Sequence, residues 1–322
     1  MNKKMVNMIF YPGYNMHFHV TYRSYTDGRP WGDVPKCSLQ SLVFEINEVY
    51  AVYKQNNSDY ELSEGDILNI QNLVLSGNYY FSSLRLVRTY SESPGSNLIP
   101  ALSVEVEASL ADEVVIGALA GILIKELGQS SYFSKSCYSS YSKDRTITHY
   151  LDTILEYRDV QTLLIVNCSN SELKFSRSRL IEKVRSIVNN DLVKLISSFC
   201  NAPIVDNMDR DFSINTGVPP LPFIAEVLFN IYMDDIDREI EKRLPKLKYA
   251  RYQNEILIPI FDEEKEQSYC EVWNDIFINE CNLLSPTLER AVRGGESIPF
   301  SGGFILINNE GKSKIKLELE YG

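Results

Sequence analysis

The sequence predicts an α+β chain, an antiparallel sheet backed by helices, and three stretches carry that reading. Residues 222 to about 243 place Ile224, Val227, Leu228, Ile231, Tyr232 and Ile236 at helical spacing behind a proline-rich turn. Pro245 ends that helix, and Tyr249–Phe261 alternates and then turns apolar, as a β-hairpin entering a core does. Gln161–Asn167 is an apolar run of strand length, which reads as a buried central strand.

At 322 residues and 44% hydrophobic content the chain has ample material for a core. No run of about 18 uncharged apolar residues occurs, so no membrane span is expected. The longest apolar stretch, Val114–Ile124, contains Gly117 and Gly121 and reads as a buried helix. The start, Met1-Asn2-Lys3-Lys4, lacks a signal-peptide core and the Arg/Ser-rich look of a transit peptide. The six cysteines have no Cys-x-x-Cys and no metal-type spacing, so they are expected to be reduced thiols. A net charge of −11 argues against a protein that lives on phosphate backbones unless a basic face is local.

Taken in order, residues 1–35 read as an irregular arm rich in Tyr, His, Gly and Pro. His17-Phe18-His19 would set two imidazoles on one strand face, but no third ligand lies nearby and surface histidines are the reading. Leu39, Leu42, Val43, Ile46, Val49 and Tyr53 mark a helix over Ser38–Lys54, and Asp66–Leu75 continues the pattern. Tyr79–Tyr90 alternates as a strand, Ser91–Asn97 is a loop, and a helix follows from about Ala111 to Leu127. Arg145-Thr146 opens a helix to about Tyr157. Helices are then expected at about Arg177–Asn189 and Leu192–Cys200, with a short strand near Phe212–Asn215. Glu263–Cys281 reads as an acidic amphipathic helix, and Gly303–Glu320 as a hairpin turning at Asn308-Asn309-Glu310-Gly311.

A helix followed by a hairpin with a polar tip is how a polymerase palm presents metal-binding carboxylates. Gly217-Val218-Pro219, Asn230-Ile231-Tyr232, Asp237 and Tyr249-Ala250-Arg251-Tyr252 together resemble the group II intron reverse transcriptase/maturase family. That family reads Gly-(Val/Ile)-Pro-Gln-Gly-Ser-Pro, then Leu-Leu-x-Asn-Ile-Tyr-Leu-(Asp/Glu)-x-Leu-Asp, then Tyr-(Val/Ala)-Arg-Tyr-Ala-Asp-Asp. The resemblance implies a fingers-like region over 36–160 and a palm-like region over 161–322, with no thumb, maturase or endonuclease domain.

The same resemblance implies lost chemistry. Gln253-Asn254-Glu255 stands for Ala-Asp-Asp, and Asn167 sits where the family's strand carries its first metal-binding aspartate. Ser171-Glu172 replace the Phe-Phe platform, Ser96 and Asn97 stand for a triphosphate-binding arginine, and Pro220, Leu221 and Pro222 replace the Gln-Gly-Ser of the nucleotide turn. A two-Mg²⁺ displacement needs several anionic oxygens, and only Glu255 keeps a charge. No catalytic residue, metal, cofactor or small-molecule substrate is expected. Asp234-Asp235 reads as a solvated helix face.

Two roles remain. The first is a structural or scaffolding subunit of a larger assembly, a ribonucleoprotein among the candidates, with other protein subunits as partners. The second is a maturase-like RNA-binding protein that uses Arg238, Lys242, Arg243, Lys246, Lys248 and Arg251, with a second basic group at Lys174, Arg177, Arg179, Lys183 and Arg185. An active RNA-directed DNA polymerase is a remote third. The residue usage and missing leader fit an organelle interior, plastid stroma or mitochondrial matrix, and otherwise the cytoplasm.

Overall fold

The structure is a computed structural model that describes residues 37–56, 62–91, 101–129, 133–139, 145–155, 160, 162–167, 175–221, 223–252, 255–261, 263–277, 287–292, 296–300, 303–309 and 315–321. In chain order the elements are α1 (Leu39–Asn56), α2 (Glu64–Leu75), β1 (Leu84–Ser91), β2 (Ala101–Glu107), α3 (Leu110–Gln129), β3 (Cys137–Tyr138) and α4 (Ile147–Leu155). Then come β4 (Thr162–Asn167), α5 (Arg177–Ile187), α6 (Asn190–Cys200), β5 (Ile204–Val205) and α7 (Ile224–Arg243). The chain closes with β6 (Ala250–Tyr252), β7 (Glu255–Ile260), α8 (Glu263–Asp275), β8 (Thr287–Val292), β9 (Glu296–Phe300), β10 (Gly303–Asn309) and β11 (Ile315–Tyr321). It is an α+β chain with three small sheets and, among the described residues, eight helices. None of them is long and apolar enough to cross a membrane.

Packing divides the chain into two units that interleave in sequence: residues 1–130 with 181–227, and residues 131–180 with 228–322. The division points fall just after α3, inside α5 and inside α7.

In the first unit α3 is the apolar centre. Val114, Val115, Ala118, Leu119, Ile122 and Leu123 are buried, as the glycine-containing run suggested, and α1 packs on this helix. Gly121 sits at that contact, where an added Cβ would lie 2.8 Å from Glu45 Oε1. Glu45 is itself buried and ion-paired with Lys125. The helix α2 opens on a capping box: Ser63 Oγ accepts from Asp66 N at 3.2 Å, and Asp66 Oδ2 accepts from Ser63 N at 2.8 Å. β1 pairs antiparallel with β2 and, at Leu84 and Arg85 alone, parallel with β5.

The strand expected over Tyr79–Tyr90 begins only at Leu84, and one carboxylate explains the delay. The buried Asp112 accepts from Tyr79 Oη (2.8 Å), from Ser82 N (3.1 Å) and from Ser109 Oγ (2.8 Å). Residues 79–82 therefore bond to a helix terminus instead of a ladder, and Phe81 turns inward against Phe199. The strand expected near Phe212–Asn215 does not form. Ser213 N donates to Asp211 Oδ1 (2.7 Å), and this local turn leaves a single bridge, Val205 to Asp211.

In the second unit the main sheet runs β3-β6-β7-β4-β8. β4 lies inside it as expected, antiparallel to β7 and β8, with Leu163 and Leu164 buried. The hairpin anticipated at 249–261 is β6–β7, closed by two residues between Tyr252 and Glu255. The final hairpin, β10–β11, forms as expected but joins β9 in a separate sheet, β11-β10-β9, and not the sheet that holds β7. The sequence reading had nothing at β2, β3, β8 or β9. The arm with its histidines, Ser96, Asn97, Ser171-Glu172 and the 310–311 turn lie outside the described residues.

A helical glycine changed to alanine ordinarily stabilises by ~1 kcal/mol. Gly121→Ala is expected to destabilise by about 1–2 kcal/mol, because the new methyl drives Glu45 from its ion pair. A rise in the urea midpoint of that variant would show that Glu45 moves aside freely.

Burial, and then the negative charge of Glu107, push the Glu113 carboxyl from 4.5 up to about 7. Its Oε2 is buried without a hydrogen-bond partner. A raised folded value means that the fold holds this proton more tightly than the unfolded chain does. The contribution is complete below 4.5 and is lost as pH rises through 7. Stability should therefore fall from pH 5 to 8 by at most about 1.4 kcal/mol per unit, and less where water reaches the carboxyl. Glu113→Gln should flatten that slope in thermal melts.

Candidate functional site

The hairpin and its neighbours set a row of strand ends. Asn167 closes β4 and lies opposite Glu255, the first residue of β7, while on its other side Asn167 faces Thr287 of β8. Tyr252 of β6 faces Glu255 across the two-residue tip. Cross-strand neighbours have Cβ atoms about 4.5–5.5 Å apart, close enough for side chains to share a ligand. The backbone thus brings two of the residues singled out from sequence, Asn167 and Glu255, to adjacent positions. Asn254, with Gln253, is outside the described residues. By residue type the row holds one carboxylate (Glu255), one amide (Asn167) and two hydroxyls (Thr287 and Tyr252). Among the described residues no three His, Cys, Asp or Glu side chains gather as a metal cluster.

The proline turn is built from buried apolar groups. Val218, Leu221 and Phe223 are buried, and Leu221 N donates to the Pro219 carbonyl at 2.8 Å. Gly217 at φ 61° takes the left-handed region without strain, but Phe223 at φ 70° carries a bulky side chain there. Leu221 also caps the following helix, its carbonyl accepting from Ala225 N at 3.1 Å. Its side chain is buried. Pro220 is partly exposed, and Pro222 is outside the described residues.

The most organised chemistry in the second unit lies inside α7. Asn230, Asp234, Asp237 and Glu241 follow one another at spacings of four, three and four, which puts all of them on one helix face. Arg251, on β6, is fully buried against that face. Its Nε donates to both Asp237 oxygens at 3.1 Å, Nη2 to Asp237 Oδ2 at 2.6 Å and to Cys137 Sγ at 3.1 Å, and Nη1 to Asn230 Oδ1. Tyr249 Oη donates to the Asp237 carbonyl (3.0 Å) and to Oδ1 (3.2 Å). The segment carrying β3 closes the lower half: Ser134 N donates to Asp234 Oδ1 (2.9 Å), and the Ser134 and Ser136 hydroxyls donate to Glu241 Oε1 (2.7 and 2.9 Å).

Burial pushes the Asp237 carboxyl up against the pull of Arg251, and it pushes the Cys137 thiol up to about 12. Burial and then Asp237 raise the Tyr249 phenol. Burial works to weaken the Arg251 guanidinium, but Asp237, Cys137 and Tyr249 together outweigh it and hold the proton.

These positions correct two expectations. Asp234 is not a solvated residue: it is buried and holds Ser134 N and Arg238 Nε (2.7 Å), while the half-exposed Asp235 pairs with Arg179 at 3.3 Å. Arg251 is not a surface residue that nucleic acid could meet. Of the other basic candidates, Arg238 pairs with Asp234, Lys242 with Glu239 at 3.1 Å, and Arg243 with Glu239 at 2.8 Å and Asp275 at 2.6 Å. Lys246 and Lys248 stand exposed on the turn after α7. The run does not make one basic face. The buried network itself was missed: Asn230, Asp234, Asp237 and Glu241 share one helical face, but α7 also carries Glu226, Asp235, Arg238, Glu239, Lys242 and Arg243, so the spacing does not single the four out.

A comparison with known protein families finds none that the chain matches, and a comparison with curated proteins finds no significant relative.

Removing one partner of a buried ion pair strands the other, at about 3–5 kcal/mol. Arg251→Met and Asp237→Leu should each lower stability by that order in urea unfolding, and the double variant should lose less than the sum. Arg251→Lys should not rescue, because an ammonium cannot reach Asp237 and Asn230 as a planar fork does. Single losses below about 1 kcal/mol would contradict the network's structural role.

Proposed function

We propose that this chain is a non-catalytic, reverse-transcriptase-like protein that serves as a structural subunit of a larger assembly. The observation that carries the reading is the pairing of Asn167 with Glu255 at the end of the β4–β7 ladder. Strand ends meet where a palm would gather carboxylates, and the sequence supplies a single carboxylate there. Two Mg²⁺ ions held about 3.5–4 Å apart need more anionic oxygen than one glutamate provides.

The residues by which the chain resembles the family support the same reading. Asn230, Asp237, Tyr249 and Arg251 serve the interior, bonding α7 to the hairpin. They keep a framework together and do not touch a substrate. The nucleotide turn is likewise filled by Leu221. The distribution of the basic run among ion pairs and core favours protein partners over RNA, and an acidic chain of net charge −11 fits that preference.

The test is size-exclusion chromatography of the protein from cells that express it, at low and at high salt. Stable co-elution with other proteins that survives high salt is the expected outcome. Co-elution with RNA that falls away steeply with salt would favour the maturase-like role instead. Primer extension that disappears in Glu255→Gln would overturn the non-catalytic reading.

A further inference from the structure

The two outer strands of the sheet β11-β10-β9 are unlike one another. β9 carries Pro299, and proline, which has no N–H to donate, defends an edge against extension. β11 contains neither proline nor glycine, and among the described residues β10 is its sole strand partner. Its residues alternate, with Ile315, Leu317, Leu319 and Tyr321 on one face and Lys316, Glu318 and Glu320 on the other. The apolar set continues across the sheet, because Ile305 lies opposite Leu319 and Ile298, and Ile307 opposite Leu317.

We propose that this edge pairs with the same edge of a second copy of the chain, antiparallel about a two-fold axis through Leu317. The two sheets then join as one of six strands. Charge complementarity selects both the partner and the register. In an antiparallel self-pairing, a residue some steps before the centre meets the residue as many steps after it. Centred on Leu317, Lys316 faces Glu318 of the second copy at two symmetric places, Ile315 faces Leu319, and Leu317 faces itself. Centring on Lys316 or Glu318 sets a like charge against itself. Centring on Leu319 sets Glu318 against Glu320. Like charges directly opposite destabilise a ladder. The sequence extends the favourable pattern, since Lys314 stands one alternation before Lys316.

A helix, α4, contacts β11. Its backbone groups bond within the helix, so it cannot supply the ladder that a strand edge lacks; it can only shield it. The proposal does not depend on the reverse-transcriptase-like reading, because it uses only the edge and its charges.

The experiment is sedimentation or light scattering of the whole protein from low to high micromolar concentration. Twice the mass of one chain is expected at the upper end. Lys316→Glu and Glu318→Lys should each weaken the dimer about tenfold or more, and the double variant K316E/E318K, which restores opposite charges, should recover it. That recovery separates lost pairing from lost folding. Antiparallel partners have Cα atoms about 4.5–5.5 Å apart, within disulfide reach. Leu317→Cys should therefore cross-link to its own copy under mild oxidation, beyond any wild-type background, while Leu319→Cys should not. A monomer at every concentration would overturn the proposal and leave α4 as the cover of that edge. So would a dimer indifferent to both charge reversals.

Discussion

A fully buried guanidinium constrains the second unit more than any other group. Moving such an ion out of water costs several kcal/mol even after relaxation, so each of its five N–H donors needs an acceptor at the right height. Four of them, on Nε, Nη2 and Nη1, meet Asp237, Cys137 and Asn230, which come from α7 and from β3. The helix must therefore present residues 230 and 237 to β6, two turns apart. β3 must lie parallel to β6 so that Cys137 stands opposite Arg251. A one-residue slip of β6 would turn Arg251 to the other face of the sheet and leave Asp237 charged and unpaired. Against a well-packed apolar pair the bridge adds little net stability. What it contributes is register between α7 and the hairpin.

The first unit solves a similar problem with a carboxylate alone. Asp112 gathers a tyrosine hydroxyl, a serine hydroxyl and a backbone N–H from residues 79–109, which fixes where β1 starts and how α3 begins. The buried Glu45 does the same between α1 and α3 through Lys125, in the space that Gly121 leaves open. Each unit thus sets a few buried polar ties within an apolar core. The exposed ion pairs, such as Lys194 with Asp191, add little in comparison.

Those ties explain which parts of the fold the sequence discloses. The helices α1, α2, α3, α5, α6 and α7 lie within a few residues of their expected spans, because apolar periodicity is a local signal. The hairpins at β6–β7 and β10–β11 are readable for the same reason. Residues 79–83 and 212–215 were misread as strands, because what fixes them is Asp112 in one case and an aspartate turn in the other. β3 is two residues long and exists only because β6 lies beside it. Of the candidate site, the meeting of Asn167 and Glu255 was expected only through the family resemblance, while the hairpin that carries Glu255 was readable from its own pattern. The arrival of Thr287 from β8 was not, since nothing local marks that strand. The basic run misled most, because sequence spacing places Arg251 with its neighbours while the sheet takes it inside.

The separation between the buried network and the strand-end row has a physical consequence for the function proposed here. Arg251 and Asp237 answer to the interior, whereas Asn167 and Glu255 are neighbours at the end of a ladder. Carboxylates held ~5 Å apart repel one another, weakly in water and more strongly where protein excludes it, and a bound cation is what makes such a cluster tolerable. Once no ion is bound, replacing aspartate by asparagine relieves that repulsion and costs the core nothing. The same replacement at Asp237 would loosen the partner of a buried arginine. On the function proposed here, a chain under selection for its fold alone would shed charge at the strand ends and keep it beneath α7, and the single carboxylate Glu255 at the ends with the buried Asp237 beneath the helix fits that proposal.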